Sequence, residues 1–271
     1  MEWINTDLLQ SAGIDPSAMQ EHGSHVVTVA VPGGKPAVEQ WHRLAAEASE
    51  LGGYAVLRGD PKRSDEEEIP AEQEVAQTLA TVPAGPPLAA LRDAKSAGRE
   101  QALEHLRNLG NEALLEKMKL AYASKPTDTP APDFSLWPKE PPDQSRRSLH
   151  SAFDFRRKPL ERCELAIVRA RHPADLVAYL GFGGFNDCPA PALHVAFLRD
   201  WNRRFGAVPA VITHDVIELF VPRPIVDPRE AFAVAKDQYD YCGDIVDQGT
   251  ETVERLARAI WGSPYWFFWW D

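Results

Sequence analysis

The sequence predicts an α/β protein: a mixed, partly parallel sheet flanked by helices, with an inserted helical and proline-rich arm. Three observations carry that expectation. Short β-branched runs alternate with helix-period stretches towards both ends of the chain. Residues 60–149 lose the strand pattern, and the chain closes on six consecutive aromatic residues, Tyr265 to Trp270. Residues 1–59 therefore read as an N-terminal βαβ part, 60–149 as the arm, and 150–271 as the C-terminal part of the same domain.

Val26 to Val31 is β-branched and stops at Pro32-Gly33-Gly34, as a buried strand does. Val38, Trp41, Ala45 and Ala48 follow at helical spacing, Gly52-Gly53 offers a left-handed stop, and Tyr54 to Leu57 gives a second strand. Strand, helix and strand in this span make a crossover unit, whose strands are expected to run parallel. The arm opens with acidic Asp65, Glu66, Glu67 and Glu68. It takes a helical pattern from Leu88 to Tyr122, as one helix or as two divided near Gly98 or Gly110. Past Lys125, the prolines from Pro126 to Pro142 favour an extended linker, in which Phe134, Leu136 and Trp137 are apolar enough to dock on the main body.

Leu165, Ile167 and Val168 mark a third strand within Cys163 to Ala170. His172-Pro173-Ala174-Asp175 starts a short helix that Gly181 ends. His194, Phe197, Leu198, Trp201 and Phe205 recur at intervals of 3 and 4 in the clearest helix of the chain, with Arg203 and Arg204 in its last turn and Gly206 beyond. Val208 to Thr213 and Val216 to Val221 read as two strands about His214-Asp215, or as one bent strand, because the pair lacks the glycine of a tight hairpin. The next helix starts at Asp227-Pro228. An unbroken continuation would stack Asp237, Asp240, Asp244 and Asp247 on one face, at a cost of about 1 kcal/mol in like-charge contacts. A stop at Gly243 avoids that, with Asp244 to Gly249 a connecting loop and Thr250 capping a last helix. The closing aromatic run is short and free of Gly, Pro and charge, so it reads as a strand covered on both faces.

Composition limits the function classes. Among 271 residues, 40 acidic against 29 basic side chains leave a formal charge of −11, which disfavours nucleic acid and anionic membranes and suits a basic protein or a metal cation. Cys163, Cys188 and Cys242 are odd in number and form no CxxC, which predicts a reducing, cytoplasmic setting. Residues 1–25 lack Lys and Arg, so no secretory signal is expected, and no stretch is long enough to span a membrane.

Asn186-Asp187-Cys188-Pro189, the helix from His194 to Gly206, Thr213-His214-Asp215 with Glu218, the run from Tyr241 through Cys242, Gly243 and Asp244 to Gly249, and the closing Trp266 to Asp271 occur in this order. Together they resemble the bacterial domain-of-unknown-function family DUF 4253 over roughly 163–271. The resemblance implies no established activity. It does direct attention to the polar positions of the last motifs, and in setting it is similar to toxin-immunity families, many of them small acidic cytoplasmic proteins.

Two functions follow as expectations. In the first, the chain is an acidic protein-binding, immunity-like protein for a basic partner, with Asn186, Asp187, Asp240, Asp247, Gln248 and Asp271 as binding residues. In the second, it is a hydrolase or metal-dependent enzyme in which His214, Asp215, Asp244 and Cys242 act, with Cys188 as an alternative thiol. No cofactor is predicted, although oxygen ligands at Asp240, Asp244, Asp247 and Gln248 would suit a divalent cation without EF-hand spacing. Plain rivals exist: solvated turns for the aspartates, a small apolar residue for each cysteine. Pro32-Gly33-Gly34-Lys35 resembles a phosphate loop only in part, since the spacing and the Ser or Thr are missing.

Overall fold

A computed structural model describes residues 2–64, 68–110, 112–123, 129–144, 147–154 and 156–271. The strands are β1 (Gln20–His22), β2 (Val26–Pro32), β3 (Tyr54–Gly59), β4 (Arg162–Val168), β5 (Val208–Ile212), β6 (Val216–Phe220) and β7 (Tyr265–Trp269). They form one mixed sheet in the spatial order β1-β2-β4-β3-β5-β6-β7, in which only β3 and β5 pair in parallel. The α/β class is as the sequence predicts. β2, helix α1 (Lys35–Ala46) and β3 form the crossover, and its strands point the same way. They are not neighbours, however, because β4 lies between them and pairs antiparallel with both. Cys163, Leu165 and Ile167 then face one layer and Ala166 and Val168 the other, all fully buried.

The remaining helices that matter here are α2 (Glu72–Ala80), α3 (Pro87–Asn108), α4 (Glu112–Ala123), α5 (Pro191–Phe205), α6 (Pro228–Tyr241) and α7 (Val253–Ile260). One face of the sheet is covered by α5, α6 and α7, whose apolar stripes join Val56, Val168, Ile217 and Leu219 in the larger core. The other face carries α1, whose Trp41 is fully buried and donates its indole N–H to the Ala55 carbonyl at 2.9 Å. Gly52 ends the α1 region with φ +86, and a Cβ there would lie 2.0 Å from the Trp3 carbonyl oxygen, so both the backbone angle and the space demand glycine.

The helical pattern of the arm divides in two. Its break falls at Gly110, with φ +65, whereas Gly98 sits in open space inside α3. The arm docks on the main body. α2 and α3 pack on α5, Val75 and Leu91 enter the larger core, and Arg92 and Lys95 reach the Asp240 carboxylate (2.7 Å) and carbonyl (2.6 Å). Farther on, the Trp137 ring is buried between Trp261, at 5.4 Å, and the Arg258 guanidinium, at 4.3 Å. Of the acidic run, Asp65, Glu66 and Glu67 lie outside the described residues, as do Lys125 and Pro126.

β5 and β6 are a true antiparallel hairpin. The missing glycine is replaced by side-chain bonding: Thr213 Oγ1 donates to Asp215 and accepts the Val216 N–H, both at 3.1 Å. α6 stops at Tyr241, before Gly243, as expected. The segment beyond it is not a loop: Ile245–Thr250 forms a π-helical turn, because Ile245 and Val246 are buried and hold the backbone wound. The cap of α7 is Thr252, whose hydroxyl accepts the Arg255 N–H, and not Thr250, which donates to the Ile245 and Thr252 carbonyls.

The expectation for the aromatic run is corrected. β7 is an edge strand paired on one side only, by β6. Trp266, Phe268 and Trp270 are buried, whereas Phe267 is 39% exposed and Tyr265 and Trp269 are half-buried. The two-residue period puts the first set against α5 and α6 and the second on the face those helices do not reach.

If the arm were a loose tether, truncating Trp137 would be neutral. Its burial predicts instead that Trp137→Ala lowers stability by about 3–5 kcal/mol, read as a drop in the denaturant midpoint at unchanged slope.

Candidate functional site

The end of β7 gathers most of the polar residues picked out in the sequence. Asn186, held at φ +46 in the loop before α5, donates its side-chain N–H to the Asp271 carbonyl at 2.8 Å. The Asp271 backbone N–H donates to Asp244 at 3.1 Å, and the Gln248 amide donates to the other Asp244 oxygen at 3.1 Å. Asp247, on the π-helical turn, accepts from the Tyr239 hydroxyl at 2.8 Å; burial and that carboxylate push the phenol up to about 12. Asp187 is exposed beside Asn186. These residues form an acidic rim. Asp240 does not join it, because its carboxylate is paired with Arg92 and serves the docking of α3.

The expected catalytic residues are divided by the end of β7. His214 and Asp215 lie 3.4 Å apart in the β5–β6 turn, and Asp215 is fastened to β7 by the Trp269 indole N–H (3.2 Å) and, through its carbonyl, by the Trp270 N–H (3.1 Å). Asp244 belongs to the rim and makes no bond to either of them. Cys242 is buried and donates its S–H to the Trp269 carbonyl at 3.0 Å, and burial pushes its thiol up to about 12. Cys188 meets His194, not His214: Sγ and Nε2 are 3.3 Å apart, and the second ring nitrogen bonds the Tyr241 hydroxyl. This pair is sealed in the core, where burial raises the thiol and lowers the imidazole to about 3. Neither thiol is poised as a nucleophile. Among the described residues no three His, Cys, Asp or Glu side chains converge as metal ligands would. The glycines at 33 and 34 pack on the backbone of Leu160 and the ring of Pro159, so the partial phosphate-loop motif is filled by this chain itself.

Next to the rim lies a cleft that the sequence pattern largely conceals. Its floor is the face of β6 and β7 turned away from α5 and α6, where Glu218 stands opposite Phe267 and Val216 opposite Trp269. Residues 147–154 and 156–160 cross it as a strap. Glu218 is 1% exposed and accepts three bonds of 2.7 Å, from the His150 N–H, the Ser151 N–H and the Ser151 hydroxyl. Burial raises its carboxyl above the ordinary range, and the three donors offset this in part. The His150 ring lies 5.3 Å from Phe267 and is lowered to about 4 by burial, with Arg157 and Arg147 adding to it.

The cleft has two adjoining parts. One is a cavity of about 250 Å³ walled by Ile245, Leu256 and the aromatic residues of β7, with Asp244 and Arg147 also on its lining. The other, of about 620 Å³, lies at the carboxyl ends of β3 and β5, where open α/β sheets commonly bind ligands. It is lined by Arg58, Arg63, Arg157, His214 and Asp215, and it shares His150, Phe267 and Trp269 with the first. Arg58 is buried against Glu164 at 2.7 Å. Of these residues, the sequence motifs single out His214, Asp215, Asp244 and Glu218. His150, Arg147 and Arg157 fall at the seam between arm and domain; the signal available is the basic run Arg156-Arg157-Lys158 in an acidic chain.

The neutral, buried His194 has a consequence for pH. Its folded pKa, about 3, lies below the unfolded value near 6.5, so acidification protonates the unfolded chain first. The stability it secures is present above about pH 6.5 and is lost as pH falls below that value. Denaturant midpoints measured from about pH 7 to about pH 4 should fall, and His194→Gln, which cannot titrate, should show a shallower fall.

Neither a curated protein nor a solved structure matches the chain. Residues 164–271, which carry β4 to β7 and the whole acidic rim, match the family model described as Domain of unknown function (DUF4253).

Proposed function

We propose that this protein is a binding protein for a basic protein partner, in the manner of toxin-immunity proteins, and that it uses the acidic rim and the exposed edge of β7. The observation that supports this reading best is the position of the rim: Asp244 lines the same cavity as Phe267, so carboxylates border an unpaired edge strand with an exposed aromatic side chain. An edge strand offers backbone groups for an added strand, an aromatic anchor supplies affinity, and surrounding carboxylates select a basic segment and speed its encounter. The hydrolase alternative draws less support, since burial raises the thiols of Cys242 and Cys188, the two nucleophiles expected for it.

The tagged full chain, incubated with extract of its host cells at about 0.05 M salt, should retain a stoichiometric basic protein that is lost at about 0.5 M salt, where screening is strong. Replacing Asp244, Asp247 and Asp271 together by Asn should weaken the complex about tenfold, from roughly 0.2–1 kcal/mol per exposed charge, whereas His214→Gln should leave it intact. Retention unchanged by the triple substitution would overturn this reading.

A further inference from the structure

We propose that the cavity beside β7, together with the strap that closes it, is a binding site for a small amphipathic anion: a flat aromatic body carrying one carboxylate or phosphate. This site shares Asp244 and Phe267 with the protein-binding surface, but the inference is drawn from the cavity and its arginines and does not rest on that reading.

The aromatic part follows from shape. A cavity of about 250 Å³ holds one fused bicyclic ring system, and Phe267, Trp269, Ile245 and Leu256 are among the residues that line it. Pockets of this kind take planar apolar groups and use a few polar side chains to orient them.

The anionic part follows from which charges are already engaged. Glu218 is saturated by three donors from the strap. Asp154 accepts the backbone N–H groups of Arg156 and Lys158, and Asp215 is held by Thr213 and Trp269. Arg147 and Arg157 make no ion pair among the described residues; both lie close enough to His150 to act on its protonation, and Arg157 also acts on the buried Glu218 carboxyl. Arg157 is also held at φ +62, a left-handed conformation that residues with a side chain rarely adopt. The Asp154 turn imposes it, with the Arg157 N–H donating to the Asp154 carbonyl at 2.9 Å. A turn built to hold an arginine in that conformation, at the rim of a cleft in an acidic protein, is the mark of a group placed for a ligand. Asp244 lines the apolar cavity and repels an anion, so the charged end of the ligand belongs at the His150 side, which the cavity shares with the arginine-lined cleft. There the neutral imidazole can donate one hydrogen bond while Arg157 supplies a bidentate, charge-assisted contact.

Calorimetric titration of the full chain with 2-naphthoate, and with the neutral isostere 2-naphthamide, tests this directly. The expected result is one naphthoate per chain, with naphthamide at least tenfold weaker. Arg157→Met should reduce naphthoate affinity about tenfold and leave naphthamide unchanged, and Phe267→Ala should weaken both. The comparison of the two compounds on the unsubstituted protein stands even if a variant fails to fold. Absence of naphthoate binding, or equal affinity for the acid and the amide, overturns the proposal.

Discussion

Burial of Trp266, Phe268 and Trp270 on one face of an edge strand is the constraint on which the C-terminal half depends. Each ring removes about 150–250 Å² from water, worth about 4–6 kcal/mol gross, and nothing but helices at close range can cover three in a row. The Trp201 ring of α5 lies stacked on Phe268 at 5.2 Å and meets Trp266 edge-on at 5.7 Å. Tyr241 of α6 contacts Phe268 and Trp270, and Phe182 and His194 close the far end around Trp270. The same packing explains the state of His194. Surrounded by aromatic faces and bonded to Cys188 and Tyr241, it has no water to stabilise a charge, so it stays neutral.

A strand cannot bury one set of alternate residues without sending the other set across the sheet. Tyr265, Phe267 and Trp269 therefore face the side where helical cover is thin. α1 reaches only the near end, through His42, whose ring nitrogen lies 2.8 Å from the Tyr265 hydroxyl and whose ring meets Phe220 edge-on at 5.1 Å. Beyond that point the strap, residues 147–154 and 156–160, lies over the sheet, and Glu218 holds it there. A carboxylate in the middle of a sheet face is costly unless donors reach it; three do, and they come from the strap backbone and Ser151. The cleft is thus a by-product of strand periodicity, given walls by an aromatic face that had to go somewhere and a roof by one buried acid.

The parts that were legible in the sequence are those set by local pattern. Trp201 and Phe205 at helical spacing, with Gly206 in the left-handed conformation after them, announce α5, and the charge repulsion among Asp237, Asp240, Asp244 and Asp247 announces the stop near Gly243. Long-range choices left no such trace. Nothing local to Cys163 to Val168 states that this strand inserts between β2 and β3, since a largely apolar strand buried on both faces fits either a central or an adjacent position. The aromatic run misled for a related reason: hydrophobicity alone does not distinguish a strand covered twice from an edge strand whose second face lines a cleft. At the site, the rim residues could be read because each falls in a short polar motif, at 186–187, 244–248 or 271. His150, Arg147 and Arg157 could not, because their role depends on a strap that meets β6 and β7 only in space.

Net charge is the other place where a whole-chain property and a local one diverge. A formal charge of −11 argues for a cationic partner, and the rim is where exposed carboxylates gather. Charges on exposed groups, however, are screened over about 8 Å at physiological salt, so sites separated by a strand and a strap each answer to their own neighbours. On the His150 side of β7 the carboxylates of Glu218, Asp154 and Asp215 are hydrogen-bonded within the chain, and the guanidinium groups of Arg147 and Arg157 act on the His150 ring. Under the two proposals, one edge strand borders both an acidic surface and a cleft with arginines on its lining, and their ligands would differ in sign.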